Sequence, residues 1–151
     1  MSDTVFIPPG GRGRSAGPFI PPLLLIPLIG YNFFAFLFMG GNPAAWAETQ
    51  LLTIPMVSGV SWALTAGDLM LVVGLVFLFL EVLKSTNTGR SSVIEHMLST
   101  VVFIIFLIEF LLVGAAASSV FFILMLMAIF DVVAGFTVSI TGAGRDVTMG
   151  G

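Results

Sequence analysis

Apolar side chains gather in four long runs along the chain, roughly over residues 19–39, 64–83, 93–113 and 120–140. About 20 apolar residues cross about 30 Å of hydrocarbon at about 1.5 Å per residue, so the pattern predicts four membrane-spanning helices. Pro18, Pro21 and Pro22 lie at the start of the first run, where a first helical turn tolerates a missing amide hydrogen. Pro27 lies deeper and predicts either a kink or a delayed helix start.

The stretches between runs are less regular. Gly41-Asn42-Pro43 predicts a turn, and Trp46 and Trp62 are of the kind that anchor at a membrane–water interface. Gly59, Ala63 and Gly67 recur every four residues, a small-residue spacing suited to helix packing. That spacing predicts either an interfacial helix over 49–63 or a long tilted second span that begins before Trp62. Residues 114–119, Gly-Ala-Ala-Ala-Ser-Ser, carry no charge and predict a tight hairpin with close approach of spans three and four.

Orientation follows from the cations, which are retained on the cytoplasmic side. Arg12 and Arg14 precede span one, Lys84 and Arg90 lie between spans two and three, and Arg145 follows span four. With four spans all five fall on one face. The expected fold class is therefore all-α: an integral membrane four-helix bundle of two transmembrane hairpins, with N and C termini cytoplasmic. Residues 1–17 and 142–151 are expected as flexible cytoplasmic tails flanking a membrane domain over 18–141. Arg12, Arg14, the first apolar run and Ala45-Trp46-Ala47 imitate a cleavable signal peptide, but the run exceeds the usual 7–15 residues, which favours a retained span.

Composition agrees with a bilayer as solvent. Of 151 residues, 58% are hydrophobic and 9% charged, and mean hydropathy is +1.14, far from the balance of water-soluble domains. A net charge of -3 without a basic patch argues against nucleic acid as a partner. The absence of cysteine removes disulfides, thiolate nucleophiles and Cys-ligated metal. No Gly-x-Ser-x-Gly, Gly-x-x-x-x-Gly-Lys or His-Glu-x-x-His pattern occurs, so an enzyme is not expected. Gly10-Gly11-Arg12-Gly13 is a basic tail rather than a nucleotide loop.

Ionisable groups inside a bilayer cost at least about 2.5–3.5 kcal/mol each and call for explanation. Ser92 and Glu95 have the spacing of a capping box at the start of span three. His96 lies beside them near the cytoplasmic surface, where solvation is the plain reading; a bis-histidine haem lacks its second ligand in this chain. Glu81 precedes Lys84 by three residues, a spacing for a surface ion pair. Asp68, near the outer end of span two, is placed to cap a helix or face water.

Glu109 and Asp131 differ, lying about 9 Å and about 18 Å from the hairpin that joins spans three and four. No cation of the same chain is expected at that depth. Desolvation favours the neutral acid, so one or both are expected to be protonated at neutral pH. Asp131 shares a helix face with Ala128, Gly135 and Gly142, small residues that suit a protein-facing side. Both acids are expected at one interface between spans three and four, as a proton relay or as separate hydrogen bonds.

Three functions follow as expectations. The first is a non-enzymatic inner-membrane protein, an accessory or assembly subunit of a larger complex or a homo-oligomer, acting through helix contacts. The second is a proton- or cation-coupled transporter or channel component that uses Glu109 and Asp131. The third, suggested by fifteen phenylalanines and eight methionines, is a binder of an apolar cofactor such as a pigment, quinone or lipid. The expected partners are the lipid bilayer and other membrane subunits; no metal site is expected, and no particular cofactor is implied.

Overall fold

The computed structural model describes residues 21–85 and 91–148. The N-terminal tail with Arg12 and Arg14, the loop with Arg90, and the side chains of Ser92, Gly142 and Arg145 lie outside the described residues. In chain order the elements are α1 (Leu25–Leu37), α2 (Ala45–Glu48), β1 (Gln50–Pro55), β2 (Ser61–Thr65), α3 (Ala66–Ser85), α4 (Ser91–Leu112), a short 3-10 turn (Gly114–Ala116) and α5 (Ser119–Thr148). The protein is mostly helical. Three helical stretches, Ala66–Ser85, Ile94–Leu112 and Ser119–Val138, are long and apolar enough to cross a membrane; α1 is apolar but shorter.

Local chemistry sets the boundaries. The chain turns through Pro22–Leu25 before α1, and Pro27 falls in the first helical turn, so it delays the helix rather than kinking it. At the far end Gly40 and Gly41 adopt positive φ (58° and 73°), and the Gly41 amide reaches back to the Ala35 carbonyl at 2.8 Å. In α3, Thr65 and Asp68 form a capping box: the Thr65 amide donates to Asp68 Oδ2 at 2.9 Å, and the Asp68 amide donates to Thr65 Oγ1 at 3.1 Å. The fourth apolar run expected to end near Ile140 continues as helix to Thr148, because no proline interrupts it.

The all-α expectation needs one correction. Residues 50–65 form an antiparallel hairpin, neither an interfacial helix nor an early start to the second span. Its loop is Val57-Ser58-Gly59, closed by Gly59 N–H to the Met56 carbonyl and Met56 N–H to the Val60 carbonyl, both at 2.9 Å. Gly59, at φ +84°, takes the left-handed position that such three-residue loops require. Gly59 and Ala63 therefore belong to a loop and a strand, and the four-residue spacing from Gly59 to Gly67 has no helical meaning.

The core lies where α3 and α4 pack against α5. Val102 and Phe106 of α4 meet Phe121, Leu124 and Ala128 of α5, all buried. Glycine lets α3 come close: a Cβ on Gly67 would fall 2.7 Å from Val120 Cγ2 and 3.0 Å from the Trp46 carbonyl oxygen. One on Gly74 would collide with Leu124. The outward faces stay apolar, as in the stripe Leu69, Val72, Val76, Phe79 and Leu83 of α3.

Candidate functional site

Besides the amphipathic Tyr31 and Trp46, the buried polar side chains among the described residues are Glu81, Ser85, His96, Ser99 and Asp131. Helical rise puts Glu81, Ser99 and Asp131 at similar depth. Asp131 is about 18 Å from the start of α5, Glu81 about 22 Å from the start of α3, and Ser99 about 20 Å from the end of α4. Because α3 and α5 start, and α4 ends, on the hairpin side, these residues form a polar layer near the opposite end of the helices.

Glu81 organises this layer. One carboxylate oxygen pairs with Lys84 Nζ at 2.8 Å, and the other accepts the backbone N–H of Leu23 at 2.6 Å. Lys84 Nζ is also 3.8 Å from a Glu95 oxygen. The expected surface pair is therefore an interior one, with Glu81 only 3% exposed. The turn before α1 covers it and supplies a donor.

Asp131 is buried beside Ser99, and Glu81 and Lys84 are near enough to act on it electrostatically. The expectation that no cation of the same chain comes near this acid is thus corrected. Lys84 turns inward along α3, and its chain length brings the ammonium into the layer. His96 is likewise buried rather than solvated. Its ring occupies the space left by Gly135 and lies 6.1 Å from the Phe136 ring, and its Nε2 has no hydrogen-bond partner.

Glu109 does not join this layer. Its side chain lies near Asn32 of α1, whose amide donates to the Leu28 carbonyl at 3.1 Å, so the two acids serve different interfaces instead of sharing one. Near it Tyr31 is fully buried, with its hydroxyl 2.8 Å from the Ala115 carbonyl and 2.7 Å from Ser118 Oγ. Trp46 stacks on Tyr31 at 4.5 Å and 16°, and its indole nitrogen lies near the Tyr31 hydroxyl without hydrogen-bonding geometry. Trp46 is thus packed inside the protein, whereas Trp62 is half exposed on β2. Between the Tyr31 end and the Asp131 layer lies the apolar packing of Val102, Phe106, Phe121 and Leu124.

Sequence reasoning passed over Ser99, Asn32, Tyr31 and Gly74. Asn32 and Tyr31 interrupt an otherwise apolar run, and Ser99 follows His96 by three residues, so a signal existed for each. Gly135 and Ala128 do share the Asp131 face, Ala128 in the core and Gly135 against His96. Glu95 lies within α4, which begins at Ser91. Among the described residues no three His, Asp or Glu side chains are grouped to hold a metal ion. In comparisons with known proteins the chain matches no family model, no curated protein and no solved structure.

Proposed function

We propose that this chain is a non-enzymatic, four-span inner-membrane protein with both termini cytoplasmic, acting through helix and hairpin contacts as an accessory or assembly subunit of a larger complex or as a homo-oligomer. The observation that carries this reading is the β1–β2 hairpin. Residues 49–65 contain no ionisable side chain. Its register, Leu52 opposite Leu64 and Ile54 opposite Trp62, gathers apolar side chains on one face; Thr53, Ala63, Pro55 and Ser61 occupy the other. Leu52 is 54% and Trp62 47% exposed. A two-stranded hairpin is marginal alone in water, and an uncharged apolar face of this kind calls for a cover. Meanwhile Glu81 is paired within the chain, and Asp131 and Glu109 lie beside polar groups of neighbouring helices, which leaves the hairpin as the surface most in need of a partner.

Co-purification of the full-length protein from its native membrane in mild detergent tests the reading, with wild type compared to an Ile54→Ser, Trp62→Ser variant. A stable assembly, heteromeric or made of further copies, that the variant loses is the expected result. A lone monomer in both preparations overturns it.

A second reading, proton- or cation-coupled transport, is favoured by the inward-pointing Asp131 and the unpartnered His96 Nε2. The apolar packing from Val102 to Leu124 stands against it, because a charge crossing the chain would pass through that packing. Flux in proteoliposomes that Asp131→Asn abolishes would move this reading ahead of the first.

A further inference from the structure

A cleft of about 450 Å³ lies between α1 and α3, beneath the base of the hairpin. Its α1 wall runs from Ile26 to Phe38 with Gly30 between them, Met70 lies on the α3 wall, and Trp46 and Thr49 close the hairpin end. Three properties define what fits. Its lining runs about 18 Å along α1 from Ile26 to Phe38, an elongated outline that suits an extended chain. The side walls are apolar throughout, so a ligand with carbonyl groups along its length would leave them unpaired. The polar hydroxyl of Thr49 sits at the hairpin end, where α3 begins.

We propose that this cleft binds one acyl chain of a bilayer phospholipid from the leaflet on the hairpin side, with the headgroup beside Thr49 and the tail running inward past Gly30. The walls belong to apolar helices, so the cleft opens within the hydrocarbon region, and acyl chains are what that region supplies. Gly30 keeps it open: a Cβ there would stand 3.9 Å from Met70 Cε, in ordinary contact, whereas a larger side chain would fill the space. This inference rests on the membrane reading and not on the hairpin's having a protein partner.

The test uses Trp46 as a reporter. Full-length protein carrying Trp62→Phe, which leaves Trp46 as the single tryptophan, is reconstituted in phosphatidylcholine vesicles with and without bromine at mid-chain. Brominated chains are expected to quench Trp46 severalfold. Added Gly30→Phe should restore most of the emission, and Gly30→Ala should leave the quenching in place. Emission equal in both kinds of vesicle overturns the proposal, as does quenching that Gly30→Phe does not relieve, since the lipid would then touch only the outer surface. If Gly30→Phe does not fold, Met70→Phe fills the cleft from the opposite wall and is read in the same way. Native mass spectrometry in mild detergent gives an independent readout. A retained phospholipid that the filled variant loses supports the site; a quinone, a pigment or an empty chain overturns it.

Discussion

The carboxylate of Glu81 accepts the backbone N–H of Leu23, 58 residues earlier in the chain, at 2.6 Å. The turn that launches α1 is thereby fastened to the last turns of α3. Since the other oxygen holds Lys84, the side chain links a charge pair to a backbone donor.

Replacing Glu81 with Ala leaves the Leu23 amide unpaired and Lys84 without its nearest anion. A hydrogen bond to a charged group contributes about 1.5–3 kcal/mol, and a loss of that order is expected in thermal unfolding of the detergent-solubilised protein. Glu81→Gln keeps an acceptor and should cost less. Equal stability of wild type and Glu81→Ala would mean that the contact does not fasten the turn.

Gly135 and Gly30 should respond oppositely to alanine. A Cβ on Gly135 collides with His96 Nδ1, and overpacking of this kind costs about 1–3 kcal/mol. At Gly30 the same change meets only ordinary contact and gains helix propensity. His96→Ala should rescue Gly135→Ala, which a double-mutant cycle measures directly.

Tyr31→Phe keeps the stacking on Trp46 and the edge contact with Phe121 but removes the hydroxyl between Ala115 and Ser118. The buried carbonyl of Ala115 loses its donor, and about 1–3 kcal/mol of stability should go with it. Hydrogen exchange ought to rise in the 3-10 turn and the start of α5 while α3 stays protected.

Thr65→Ala removes the hydroxyl half of the capping box at the junction of β2 and α3, both the acceptor for the Asp68 N–H and one donor to Asp68 Oδ2, while the amide of residue 65 can still donate to Asp68. Faster exchange is expected at the amides of residues 66–68, with the rest of α3 unaffected. Exchange that rises along the whole helix would show that the box holds more than its own turn.

The long helices were legible because a membrane span writes itself as an apolar run, and α3, α4 and α5 lie on three of those runs. The hairpin was not. Small residues four apart at Gly59, Ala63 and Gly67 imitate helix packing, and that pattern masked the β-branched and aromatic residues at Ile54, Val60 and Trp62 and the Ser58-Gly59 turn. At the polar layer the residue types were visible but not their company. Which side chains face Asp131 depends on how α3, α4 and α5 rotate against one another, and Gly74 and Gly135 set that rotation through contacts far apart in sequence. Lys84 shows the same limit: its position along the chain suggests a surface, yet its long stem carries the charge inward.

The thirteen residues of α1 rise only about 20 Å, roughly a third less than the hydrocarbon they would have to cross. Were α1 to serve as the proposed first span, the bilayer beside it would have to thin, at a cost of fractions of a kcal/mol for each ångström of shortfall, and the thinned flank would be the one that carries Glu81 and its contact to Leu23.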